Sequence, residues 1–183
     1  MLWLILGILL WTGAHLFKRI LPAQRASLGK MGKAVIAILI LCSIALMIIG
    51  YGAAEDVPLY ALPVWAWYLN NLFMLMAIFM MDVARANGVI RTKFRHPMLF
   101  GVVLWSAAHL LMNGDLASLA LFGGLGVWAL VEMAVISKAE GAWRRPETGS
   151  LRADGKVALF AVALYALIVA IHYWLGFSVI VFF

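Results

Sequence analysis

The sequence predicts an all-α fold, a polytopic membrane helix bundle of about six transmembrane helices, and three observations predict it. Of its 183 residues, 66% are hydrophobic and 12% charged, so a water-soluble fold would leave too much apolar surface exposed. Six apolar runs, near 2–17, 34–52, 65–84, 97–112, 116–136 and 157–176, approach the roughly 20 residues that cross a bilayer core. All 14 lysines and arginines fall in alternate connections between those runs, the pattern left when basic residues stay on the cytoplasmic side.

The first run resembles the apolar core of a secretory signal, but Lys18 and Arg19 follow it where a signal carries charge ahead. It is therefore expected to stay attached, with the N-terminus outside. Arg25, Lys30 and Lys33 complete the first basic connection. The second run carries Cys42, the single cysteine, which excludes an intrachain disulfide and a CxxC metal site. The second connection holds Glu55 and Asp56 without a base, and Tyr51, Tyr60, Trp65, Trp67 and Tyr68 crowd it as interfacial aromatics do. The third connection is basic through Arg85, Arg91, Lys93 and Arg95, and Pro97 is a favourable first residue for the fourth run.

Asn113-Gly114-Asp115 is a tight turn. It makes the fourth and fifth runs antiparallel neighbours, with Gly101, Ala107 and Ala108 facing Gly123, Gly124 and Gly126 for close backbone approach. The fifth connection holds Lys138, Arg144, Arg145, Arg152 and Lys156, and 138–156 is the longest stretch expected to be mobile. Residues 177–183 either extend the sixth run or lie at the outer interface. The chain reads as one domain over 1–183, multi-pass in a bacterial inner membrane, with both termini periplasmic.

The net charge of +6 and pI near 9.8 do not imply a nucleic-acid partner. The bases flank apolar spans instead of forming a patch, and the partner they imply is membrane lipid. No HExxH, GxSxG or Walker loop is present. Asp82 and Glu132 both sit near cytoplasmic helix ends, where bases can pair with them, so acid–base hydrolysis is not suggested.

Polar groups inside the spans carry the remaining information, because each is expensive in lipid. By the rise of about 1.5 Å per residue, His15 and His96 lie toward the cytoplasmic side, whereas His109 and His172 share the outer half. Gly101, Trp105, His109 and Asn113 recur every four residues on one face of the fourth run, a face suited to lining a flat apolar cofactor pocket. The bland alternative for His109 and Asn113 is hydrogen bonding between helices. His96 reads as interfacial, and Glu132 reads as snorkelling or pairing with Arg95 or His96. Asn70, Asn71, Ser106 and Cys42 are weaker signals, read chiefly as packing.

The run Arg95-His96-Pro97-Met98-Leu99-Phe100-Gly101, then Leu104-Trp105, Ala108-His109-Leu110-Leu111 and Asn113-Gly114-Asp115-Leu116-Ala117-Ser118, resembles the signature of the NnrU family. Gly13-Ala14-His15-Leu16, Gly50-Tyr51-Gly52, Leu121-Phe122-Gly123 and His172 extend the resemblance over essentially the whole chain. It implies a link to denitrification and nitric oxide metabolism and a relationship to zeta-carotene isomerases. Those relatives imply b-type haem held by two histidines, matched here by His109 and by His15, with His172 as the alternative second ligand. The isomerases carry a cysteine three positions before the helix-four histidine. Ser106 occupies that place and is a poor iron ligand, so a ligand-switching isomerase mechanism is not implied here. Isoprenylcysteine carboxyl methyltransferases share an RHPxYxG motif, but Leu99 replaces the tyrosine, which makes S-adenosylmethionine transfer the weaker enzyme reading. The third class is a non-catalytic accessory factor for nitric oxide metabolism. Expected partners are a small apolar substrate or nitric oxide-related machinery.

Overall fold

A computed structural model describes residues 1–177, which are helical apart from turns, loops and one isolated bridge between Pro58 and Asp115. Helix is what a membrane demands, since every backbone N–H and C=O must be satisfied within the segment. The elements are α1 (Leu2–Ile20), a short α2 (Pro22–Ser27), α3 (Gly32–Gly52), α4 (Trp65–Val83) and α5 (Pro97–Met112). They continue with α6 (Leu116–Ser118), a π-helical turn (Leu119–Gly123), α7 (Gly124–Glu140) and α8 (Leu151–Trp174).

Five segments are long and apolar enough to cross a membrane, the run Leu116–Glu140 counting as one, and α5 is apolar but shorter at 16 residues. The protein is thus a multi-pass helical membrane protein, with each of the six expected runs helical. The π-helical turn within the fifth run has no counterpart in the sequence reading. Residues 178–183, which make up most of the 177–183 segment whose placement the sequence leaves open, lie outside the described residues.

The fifth connection is shorter than expected, because α7 runs on to Glu140 and α8 starts at Leu151. Asp154 explains the early start. It lies in the first turn of α8, where a carboxylate favours the positive helix end. Its Oδ2 also accepts the Val89 N–H at 2.8 Å and the Ile90 N–H at 3.3 Å. The charged residues Arg152, Asp154 and Lys156 are therefore helical, not loop.

The chain divides into two compact units, residues 1–60 with 114–141, and residues 61–113 with those from 142 onward. In the first, α1 lies against α3 at two glycines. A Cβ on Gly7 would come within 2.8 Å of the Met47 nitrogen, and one on Gly50 within 2.7 Å of the Leu4 Cα. Gly124 faces Ile8 of α1. The connection before α4 is strapped to the 113–116 turn: Leu59 and Tyr60 donate to the Gly114 carbonyl, and Leu116 donates to that of Val57.

In the second unit α4 packs along α5 and α8. Gly101 makes the α4–α5 approach, where a Cβ would meet the Ala77 carbonyl oxygen at 2.8 Å. Gly101 and Gly124 thus serve crossings onto α4 and α1. The Tyr165 hydroxyl donates to Asn71 at 2.5 Å, while Asp154 reaches Val89. These two contacts set α8 antiparallel to α4.

Candidate functional site

The second unit contains a cavity of about 440 Å³ between α4, α5 and α8. That volume lies within the range of small-molecule and cofactor sites, roughly 300–1,000 Å³. Its walls are mainly apolar, with Met74, Ala77, Ile78 and Met81 from α4, Trp105 from α5, and Phe160, Leu164 and Ile168 from α8. The polar groups lie toward its ends. Asp82 and Arg85 stand at and just beyond the end of α4, and His109 and His172 stand toward the far ends of α5 and α8. Phe160, Leu164, Ile168 and His172 follow at four-residue intervals, so the cavity extends about 18 Å along α8.

Both histidines are held by their own helices. His109 Nδ1 lies 2.9 Å from the Trp105 carbonyl oxygen, and His172 Nδ1 lies 2.8 Å from that of Ile168. A carbonyl only accepts, so Nδ1 carries the proton in each neutral ring and Nε2 becomes the nitrogen with the lone pair. That is the tautomer suited to metal ligation through Nε2. Trp105 flanks His109 with ring centroids 4.7 Å apart.

The four residues expected on one face of α5 divide their roles. Trp105 and His109 line the cavity. Gly101 is taken up by the α4 crossing, and Asn113 caps the helix, its Nδ2 donating to the His109 carbonyl at 2.9 Å. Ser106 is buried, and no partner reaches its Oγ among the described residues.

His15 belongs to the first unit. Its Nδ1 makes the same local bond, 2.9 Å to the Trp11 carbonyl. Its ring is enclosed by Trp11 at 4.2 Å and Trp128 at 4.8 Å. Glu132, one turn beyond Trp128, is only 8% exposed, and its Oε2 has no hydrogen-bond partner among the described residues. Its carboxylate is thus enclosed within the helix packing instead of extending outward. Arg19 pairs with Glu140 at 2.8 Å. His96 is the N-cap residue of α5, its carbonyl accepting the Phe100 N–H at 3.0 Å.

The family model described as NnrU protein matches residues 3–179. The chain belongs to the NnrU family. No curated protein and no solved structure matches it. In this NnrU chain the sequence reading passed over Arg85 and the apolar lining from α4 and α8. Their signal was the spacing Phe160, Leu164, Ile168, His172 and the α4 stripe Ala77, Met81, Arg85, both at intervals of four.

Proposed function

We propose that this NnrU-family chain binds b-type haem in the cavity of the second unit, where His109 and His172 would hold the iron. The observation that carries the reading is one cavity holding two imidazoles, each with Nδ1 fixed by its own helix so that Nε2 has the lone pair. The donor set fits haem better than a bare ion. No three His, Cys, Asp or Glu side chains converge among the described residues, whereas haem brings its equatorial nitrogens and asks the protein for one or two ligands. Attachment is non-covalent, since the chain has no CxxCH.

In such a site His109 and His172 would hold the iron, and Trp105 with the apolar α4 and α8 side chains would exclude water from the macrocycle. Haem held by two histidines would supply one-electron chemistry, which accords with a role in nitrogen oxide metabolism or an isomerase-like redox reaction. The protein lies in the bacterial inner membrane with both termini periplasmic, the orientation supported by all 14 bases falling in alternate connections.

The test is a visible spectrum of protein purified in detergent after haem-replete expression, for the wild type and for His15→Ala, His96→Ala, His109→Ala and His172→Ala. A Soret band that is altered or lost in the His109 and His172 variants, and kept in the other two, is the expected result. A wild type without haem ends the haem reading. Loss in His15→Ala with an intact spectrum in His172→Ala transfers the second ligand to His15.

A further inference from the structure

The cavity is not symmetric along its length. Its histidine end lies toward the close of α5 and α8, and its other end finishes at Asp82 and Arg85, where α4 stops. The two ends are set apart by the antiparallel packing of α8 on α4, in which Asn71 meets Tyr165 and Val89 meets Asp154. Between them the described lining is apolar or aromatic. Arg85 is exposed, and no carboxylate lies within ion-pair distance of it among the described residues. Asp82, three positions earlier and also in the lining, does not pair with it.

A cationic guanidinium at one end of an apolar cavity is complementary to a flat, apolar molecule that carries an acid at its edge. The planar fork of arginine matches a carboxylate through two parallel hydrogen bonds. We infer that Arg85 anchors a carboxylate of the bound molecule, so that the cavity selects acid-bearing planar guests over pure hydrocarbons of similar size. This rests on the cavity being the cofactor site. It does not depend on iron ligation, and the two can fail separately. Asp82 works against the same guest by like-charge repulsion, so its neutralisation favours binding.

The probe is iron-free protoporphyrin IX, compared with its dimethyl ester, titrated into the purified full chain in zwitterionic nanodiscs and followed by porphyrin fluorescence. Without iron, no axial bond contributes. The wild type is expected to prefer the diacid. Arg85→Gln should weaken diacid binding roughly tenfold, the effect of one charge-assisted contact near water, and leave the ester unchanged. Asp82→Asn should strengthen diacid binding alone, and His109→Ala should preserve the preference.

Equal affinity for diacid and ester in the wild type, or an Arg85→Gln effect equal on both, overturns the inference, as does failure of the diacid to bind. The guanidinium could also meet the phosphate of a lipid headgroup. Disappearance of the acid preference in anionic nanodiscs would assign it to lipid and likewise overturn the inference. A preference that survives while the haem spectrum ignores His109 and His172 would support the acid anchor and refute iron ligation by these two histidines.

Discussion

Replacing Gly101 with alanine perturbs packing and site together. An added Cβ would stand 2.8 Å from the Ala77 carbonyl oxygen, 2.8 Å from Met81 Cγ and 3.1 Å from the Met81 nitrogen. Met81 Cγ can swing away, but the two backbone atoms cannot. Restoring ordinary contact, which begins at 3.4 Å, requires α5 and α4 to separate by about 0.6 Å at the crossing. Overpacking of this kind costs about 1–3 kcal/mol. The better helix propensity of alanine returns about 0.5–1 kcal/mol. The expected net loss is centred on about 1 kcal/mol, within about 0–2.5 kcal/mol, measured as unfolding in detergent by circular dichroism. Because Ala77 and Met81 also line the cavity that His109 lines, the same shift should change the spectrum of the proposed haem or lower its content. Gly13→Ala is the control, since a Cβ there meets nothing within 4 Å, and its helix propensity should leave stability equal or raised. A Gly101→Ala protein as stable as the wild type, with an unchanged spectrum, would refute the close-approach argument.

Three further outcomes follow from named contacts. Partial burial raises the Asp115 pKa, but hydrogen bonds outweigh it, chiefly from the Ser118 hydroxyl at 2.5 Å and the Ser118 N–H at 2.8 Å, and hold the carboxyl below its ordinary value of 3.8. A depressed folded pKa gives stability that is present above 3.8 and lost as pH falls through the lower folded value, so hydrogen exchange at Leu59 and Leu116 should accelerate only in that acid range, and Asp115→Asn should abolish the dependence. Asp154→Ala should cost about 2–3 kcal/mol, because it strips the acceptor from the Val89 and Ile90 N–H groups of a carboxylate that is only 8% exposed; protease sensitivity between residues 85 and 92 should rise with it, and unchanged cleavage would contradict the account. Alkaline phosphatase fused after Phe183 should be active and one fused within 141–150 inactive, the reverse pattern inverting the proposed orientation.

The spans were legible because each carries enough apolar residues for the decision to be local. The run 97–112 coincides with α5 at both ends, where Pro97 starts the helix and Asn113 caps it. The start of α8 was not legible. Asp154 counts as loop polarity in a hydropathy reading, and its helical role depends on Val89 and Ile90, more than 60 positions away in sequence. Glycine partners were hidden for the same reason. Small residues announce a close approach without saying to which helix, and Gly101 and Gly124 met α4 and α1. In the site, His109 and Trp105 could be placed by their four-residue spacing. Arg85 could not, because as one of 14 bases its charge is accounted for by topology.

Trp11-x-x-x-His15 and Trp105-x-x-x-His109 are the same local device in different units. In each, the tryptophan carbonyl accepts Nδ1 at 2.9 Å. In each, the indole leans on the imidazole, with centroids 4.2 and 4.7 Å apart and planes tilted by 36° and 52°. The helix therefore fixes the tautomer and the stacking, and both rings emerge with the lone pair on Nε2. What differs is the packing above them. Trp128 of α7 closes edge-on over His15 at 4.8 Å and over Trp11 at 5.3 Å, and Trp128 is only 6% exposed. Over His109, α4 and α8 supply Met74, Ile78, Leu164 and Ile168 and leave a cavity with a second imidazole in its wall. The local sequence leaves both histidines with the lone pair on Nε2, and the neighbouring helices decide which of them has a cavity beside it.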